Sequence, residues 1–427
     1  MEEQDTVKEY CPFPRRRAAI AAVAFTALFL VTTIVVVAVS LRPKKSSPED
    51  PTSSIVAPSN DTGGVSNHTW SNITDAPAPT SRASASDDET DDPEDDVTMN
   101  PSNVTILTYY YPWYVGDDWS RHGYVGTPLL GLYDTSDPSV AEQHIEWAAP
   151  ATDVMVISWW GEDGITSDHF KNGFLQASNL HETKFCLLYE SIGRLRDENE
   201  TEIHFEREDV VDQLIEDFLV LKDLYFGHEQ YYKLDDGRPV VVMYVTRIFR
   251  NFEKQHLIDL QEAIGMDLFI IGDETFFWEF VDPFTARNGV DSQGQSIFDS
   301  YTAYNMFVDE LVKPGESAKD YMMREALPVY QRWADDTLFY PHVLTSYHDF
   351  RGHEPLGGGK EGFLEQLKTF ACLPKPETAN GLPNMLFVTS FNEFWEGTTI
   401  EPTEEYGSLY LDALVEFKQN HIVCTKA

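Results

Sequence analysis

From Val104 onward, short apolar runs alternate with longer segments in which apolar residues recur every three or four positions. The runs are Val104–Tyr111, Val154–Trp159, Lys184–Glu190, Pro239–Val245, Leu268–Gly272, Ser296–Tyr301, Leu338–Leu344 and Met385–Ser390. Such runs predict strands covered on both faces, as in a parallel sheet. The intervening segments Ser139–Ala148, His169–Asn179, Val210–Phe226, Phe252–Ile264, Ala318–Trp333 and Glu361–Cys372 predict amphipathic helices, and Tyr406–His421 follows the last strand. Eight strands joined by helical crossovers predict an α/β chain folded as a (β/α)8 TIM barrel. A doubly wound open sheet is the alternative, but no G-x-G-x-x-G follows the first strand.

Ahead of the barrel the pattern changes. Ala18–Leu41 is 24 residues without a charge. As a helix it would span about 36 Å, enough for a bilayer core. Arg15–Arg17 precede it and Arg42, Lys44 and Lys45 follow, so basic flanks do not orient it. The sequons do: Asn60, Asn67, Asn72, Asn103 and Asn199 all lie after the helix. The expected layout is a cytoplasmic tail (1–17), a signal-anchor helix (18–41), a disordered, glycosylated acidic stem (42–102) and a lumenal catalytic domain (103–427). A cleaved signal peptide ending near Ser40 is the rival reading.

Composition narrows the partners. A formal charge of −40 argues against nucleic acid, although part of it is the run Asp87–Asp96, eight acids in ten positions. Four cysteines are too few for a disulfide scaffold; Cys372 and Cys424 pair only if their compartment is oxidising, which spacing does not decide. There is no H-E-x-x-H, no paired Cys/His spacing and no G-x-S-x-G, so neither metal catalysis nor a serine nucleophile is expected. No Asp-x-Asp occurs from Asn103 to the end, which weighs against a nucleotide-sugar transferase.

In a barrel, chemistry gathers at the carboxyl ends of the strands. Those ends carry Tyr110, Trp113 and Tyr114; Trp159 and Trp160; Tyr189 and Glu190; Asp273 and Glu274; Tyr304 and Asn305; Asp349 and Arg351; and, after the eighth strand, Asn392, Glu393, Trp395 and Glu396. Acids and aromatics recurring at one end suit a sugar: rings cover its C–H face and carboxylates take its hydroxyls. Glu393 and Glu396, three residues apart among aromatics, form a candidate acid/base pair. His122, in the first loop, serves as a ligand or as packing; His144, on a helix, reads as a structural hydrogen-bonder.

The motifs Tyr110-Tyr111-Pro112-Trp113-Tyr114, Ser158-Trp159-Trp160-Gly161 and Ser390-Phe391-Asn392-Glu393-Phe394-Trp395-Glu396-Gly397-Thr398 resemble glycoside hydrolase family 99, the endo-α-1,2-mannosidases. The resemblance runs through Val104–His421. It implies cofactor-free, retaining hydrolysis within α-mannoside chains. In eukaryotes it implies trimming of glucosylated mannose from N-glycans at the Golgi membrane, in a single-pass type II protein. Glu393 would act on the sugar 2-hydroxyl as a base and Glu396 as acid/base; a carboxylate nucleophile is the rival scheme. An α-mannan-degrading enzyme at the cell surface and an inactive glycan-binding barrel are the functional alternatives. The chain departs from the family where Trp-His becomes Phe394-Trp395. Trp160 stands where animal enzymes carry Tyr and bacterial mannan-cleaving ones Trp, which leaves glucose or mannose at the non-reducing side open. The loop Tyr347–Gly359 also diverges.

Overall fold

The computed structural model describes residues 97–116, 119, 123–197, 199–274 and 289–424. The expected anchor 18–41, the sequons Asn60, Asn67 and Asn72, and His122 lie outside these residues. Among the described residues no helix is long and apolar enough to cross a membrane.

Eight parallel strands form the barrel. They are β1 (Val104–Tyr110), β2 (Val154–Trp159), β3 (Lys184–Tyr189), β4 (Val240–Met243), β5 (Phe269–Asp273), β6 (Ser300–Thr302), β7 (Phe339–Tyr340 with His342–Leu344) and β8 (Asn384–Thr389). Neighbours in sequence pair in register from β1 to β6, and β8 pairs with β1. Closure falls on β7. Phe339–Tyr340 bond to β6, His342–Leu344 bond to β8, and only Pro341 separates the two pieces. Proline has no N–H to give to a ladder. Its carbonyl still accepts the Phe387 N–H at 2.9 Å, so the strand changes partner at that residue. The strands are apolar throughout because helices cover the outside and side chains fill the inside: every residue of β2 is buried.

The helices start and stop on local signals. Helix α1 (Pro138–Ala148) has Asp137 as its cap, accepting the Ser139 N–H, and proline in its first turn. The next, α2 (Ile165–Asn172), ends earlier than the expected Asn179. Gly173 breaks it because the backbone passes so close to Thr135 that a Cβ would sit 2.0 Å from the Thr135 carbonyl oxygen. Helix α3 (Glu208–Leu221) and α4 (Lys254–Ile264) pack together; α4 closes on Gly265 at φ +63°. Next come α5 (Leu327–Asp336), α6 (Lys360–Ala371) and α7 (Leu409–Gln419).

Two further expectations change. The sixth strand begins at Ser300, not Ser296, because the Tyr301 hydroxyl captures the N–H groups of Ile297 and Phe298 and holds that apolar run in a turn. The folded part begins by Val97, inside the stretch read as stem. Val97–Met99 pairs antiparallel with Ile422–Cys424, and a Cys372–Cys424 disulfide fastens this ribbon to the end of α6. The two sequons on the folded part, at Asn103 and Asn199, are exposed.

Candidate active site

The loop after β8 is the centre of the site. Its backbone folds back on itself: Ser390 N–H bonds Thr398 O, Thr398 N–H bonds Glu393 O, and Glu393 N–H bonds Ser390 Oγ. Gly397 has φ +62°, and a Cβ there would lie 3.0 Å from His348 O and 3.2 Å from Val125, so the turn admits only glycine. The remaining residues divide between anchoring and display. Asn392 is fully buried; its amide accepts the Tyr111 N–H at 2.8 Å and donates to the Tyr111 carbonyl at 3.0 Å. Phe394 sinks among Tyr114 and Trp119, and its N–H donates to the Tyr114 hydroxyl. Trp395 stacks on Trp113, with ring centroids 5.0 Å apart.

Glu393 and Glu396 both line one cavity of about 380 Å³ at the carboxyl ends of the strands. Glu393 is 1% exposed. Burial pushes its carboxyl well above the ordinary range, and the Glu396 charge adds to that. Three donors oppose the shift: the Trp395 and Glu396 N–H groups and the Tyr114 hydroxyl. Glu396 Oε2 accepts the Tyr304 hydroxyl at 3.2 Å, and Tyr304 in turn accepts from the Tyr111 hydroxyl at 2.6 Å. The hydroxyl chain therefore runs from the end of β1, past β6, to the acid carried by β8.

Two further acids stand across the cavity. Burial raises the Glu190 carboxyl to about 8, helped by the Asp273 charge and opposed by the Ser158 hydroxyl bonded to it at 2.6 Å. Ser158 also accepts from Trp160 Nε1, so Glu190 and Trp160 share one support. Burial likewise raises Asp273, against Arg247 and the N–H groups of Tyr304 and Val245.

Of the residues expected from sequence, Trp113, Trp160, Glu190, Asp273, Tyr304, Asn305, Arg351, Glu393 and Glu396 line the cavity. Tyr114 reaches it only through Glu393. Others are spent on structure. Tyr110 bonds His144, which pairs with buried Glu401 as a structural histidine. Trp159 packs on Tyr189 and bonds Glu162, and Tyr189 bonds Asp217. Glu274 bonds Thr246, and Asp349 lies behind the wall. Asn392, expected on the sugar, ties β1 to β8.

The strand-end rule missed Tyr244 and Arg247, which follow β4, and Phe307 and His353, which lie further along the loops after β6 and β7. Reading the end of β4 like its neighbours finds the first two; His353 lies in the divergent loop Tyr347–Gly359, and nothing local marks Phe307.

No family model and no curated relative matches the chain. Among solved structures, one described as a glycoside hydrolase-like protein superposes with a TM-score of 0.53 at 17% identity, over 74% of this chain and 93% of that one. The chain shares that fold. The GH99 endo-alpha-mannosidase from Bacteroides thetaiotaomicron, in complex with bis-tris-propane, gives a TM-score of 0.49 at 19% identity over 74% of this chain and 95% of that one. A second structure of that enzyme gives 0.47 at 18% identity, over 74% of this chain and 96% of that one.

Proposed function

We propose that the protein is a retaining endo-acting glycoside hydrolase that cleaves internal α-1,2-mannosidic bonds of glucosylated high-mannose N-glycans in a secretory compartment. The observation that carries this reading is the pair Glu393 and Glu396, delivered by one loop into one cavity walled by Trp113, Trp160 and Tyr111. The barrel fold shared with a glycoside hydrolase-like protein agrees with it.

The surroundings give each carboxyl a role. Two close carboxyls in a buried site hold one proton between them over a broad pH range. Burial and the Glu396 charge favour the protonated form of Glu393, while the Trp395 and Glu396 N–H groups and the Tyr114 hydroxyl oppose that; the reaction draws on the state of the pair in which Glu393 is ionised and Glu396 carries the proton. Glu393 then removes the proton from the sugar 2-hydroxyl as O2 closes on the anomeric carbon. Glu396 protonates the departing oxygen. In the second half Glu396 takes a proton from water, the water oxygen bonds the anomeric carbon, and O2 recovers its proton from Glu393. Two inversions give retention. In the rival scheme Glu393 itself bonds the anomeric carbon. A donor lacking the 2-hydroxyl separates the two: it is inert in the first and turned over in the second.

Trp160 supports a second substrate. By the resemblance read from the sequence, a tryptophan at this position goes with mannan-cleaving members of the family, and Trp160 lines the cavity, so mannose in place of glucose at the non-reducing side is the alternative. The Cys372–Cys424 disulfide suits an oxidising lumen, in keeping with a Golgi-membrane type II layout anchored through residues 18–41. The test is incubation with Glc-Man- and Man-Man-terminated glycans, identifying the released oligosaccharide. Replacing Glu396 by Gln is expected to lower turnover by about 10²–10⁴-fold, roughly 3–5 kcal/mol of barrier. Normal turnover by a folded Glu396→Gln protein refutes the assignment.

A further inference from the structure

One buried carboxylate outside the reacting pair organises a whole wall of the cavity. The side chain of Asp349 has no exposed surface, yet three cavity-lining side chains meet on it. Tyr347 donates its hydroxyl at 3.3 Å, His353 Nδ1 lies at 2.8 Å and Arg351 Nη1 at 3.5 Å. The Arg351 N–H closes the turn onto Asp349 Oδ1 at 3.1 Å. Phe307 lies flat against Tyr347, with ring centroids 3.7 Å apart and planes 13° apart. A desolvated carboxylate is costly unless its partners repay it. Here every partner's side chain reaches the cavity.

The position of this wall says which part of a substrate it meets. The loop is fastened to the catalytic loop at Glu396, whose carbonyl accepts the His348 N–H at 2.8 Å. The Tyr347 hydroxyl lies near enough to the Glu396 carboxyl to feel its charge, and both line the cavity, so the wall stands beside the residue proposed to protonate the departing oxygen. Its chemistry is that of a saccharide platform. Phe307 and Tyr347 offer apolar ring faces, Arg351 offers donors, and His353 keeps its second nitrogen for a hydroxyl because a carboxylate oxygen occupies Nδ1. His353 is about a quarter exposed, at 26%, consistent with a group that awaits a ligand.

Resting on the function proposed above, we infer that Phe307, Tyr347, Arg351 and His353 form the subsite for the mannosyl unit released on cleavage, and that Asp349 positions them. The step from ring to reacting bond is made by this chain's own divergent loop, so the leaving-side preference is set there.

The experiment compares two substrates of the full-length protein. One is an α-mannosyl oligosaccharide cleaved between sugars; the other carries the same donor sugars on fluoride, with no sugar on the leaving side. His353→Ala and Arg351→Ala are expected to lower kcat/KM on the oligosaccharide by about 10–100-fold, the range for a lost hydrogen bond to a charged group. On the fluoride they should stay within about twofold of the parent. Asp349→Asn should match His353→Ala, and the double variant should be no worse than either alone, because a positioning residue acts through the group it holds. Equal losses on both substrates, or none on either, overturn the inference while leaving the hydrolase reading intact. If the parent cleaves neither substrate, the hydrolase reading fails instead, and calorimetric titration of α-mannobiose decides the subsite: binding by the parent that His353→Ala abolishes supports it, and binding that all three variants retain, or that the parent lacks, overturns it.

Discussion

Replacing Asn392 by Ala separates a structural tie from a sugar contact. The Asn392 amide joins the end of β1 to the loop that carries Glu393 and Glu396 across 281 residues of sequence. Truncation leaves the Tyr111 N–H and carbonyl without this partner inside a buried wall. Each such orphan costs about 1–3 kcal/mol, so the two together predict a loss of roughly 2–6 kcal/mol. A water molecule filling the vacated volume would bring the value toward the lower end. In a domain of this size that corresponds to a fall in Tm of about 4–10 °C. Asn392→Asp should be no better, because a second carboxylate oxygen would then face the Tyr111 carbonyl.

The kinetic signature follows from burial. Asn392 has no exposed surface, so KM should change less than twofold. Glu393 is the next residue, and loosening its loop displaces the carboxyl proposed as the base, so kcat should fall; a displacement near 1 Å can cost about 10²-fold. Thermal unfolding and steady-state kinetics on the same preparation provide the test. An unchanged Tm with a raised KM would show that the side chain serves substrate, and the tie between β1 and β8 would have to be abandoned.

Gly193→Ala would place a Cβ 2.3 Å from the Trp160 indole, a wall of the cavity that shares Ser158 with Glu190, so activity should drop and overpacking should cost about 1–3 kcal/mol of stability, read by steady-state kinetics and thermal unfolding. Replacing Cys372 and Cys424 by Ser opens a loop spanning 52 residues and should destabilise by up to about 4 kcal/mol in denaturant titration. Stability should also depend on pH in two opposed ways. Burial lowers the His342 imidazole to about 3, so the unfolded chain binds a proton that the fold refuses, and stability falls as pH drops from 6.5 toward 3. The Glu190 carboxyl, raised to about 8, contributes fully below 4.5 and loses its contribution as pH rises through 8, up to roughly 5 kcal/mol. Glu190→Gln should remove that upper slope; a stability–pH curve that keeps it would contradict the buried neutral acid.

The barrel was legible because its strands are covered on both faces and so read as unbroken apolar runs; Val154–Trp159 is the same six residues in sequence and structure. The misreadings come from contacts that an apolar run does not encode. Ser296–Phe298 is as hydrophobic as a strand, but the Tyr301 hydroxyl takes its N–H groups. Gly173 ends α2 because of Thr135, which lies in a different loop. The site divides in the same way. Glu393 and Glu396 stand out locally as acids among aromatics, whereas Asn392 and Trp395, in the same motif, are indistinguishable from ligands until Tyr111 and Trp113 are seen against them.

What the fold adds to the motif is the company of the two glutamates. Glu190, Asp273, Asp309, Glu310, Glu393 and Glu396 line one cavity, and among the described residues its arginines are Arg247, which pairs with Asp273, and Arg351, which pairs with Asp349. Burial disfavours the charged form of Glu190, Asp273 and Glu393; the Asp273 charge adds to the effect on Glu190, and the Glu396 charge to that on Glu393. A cavity lined this way keeps protons at neutral pH instead of ionising every carboxyl. A protonated carboxyl donates a hydrogen bond and an ionised one accepts, so the same side chains can match either end of a hydroxyl. An anionic ligand would meet only repulsion from the ionised members. The acid reserve that the reaction needs and the preference for an uncharged, hydroxyl-rich substrate thus have one physical source, the withdrawal of these carboxyls from water.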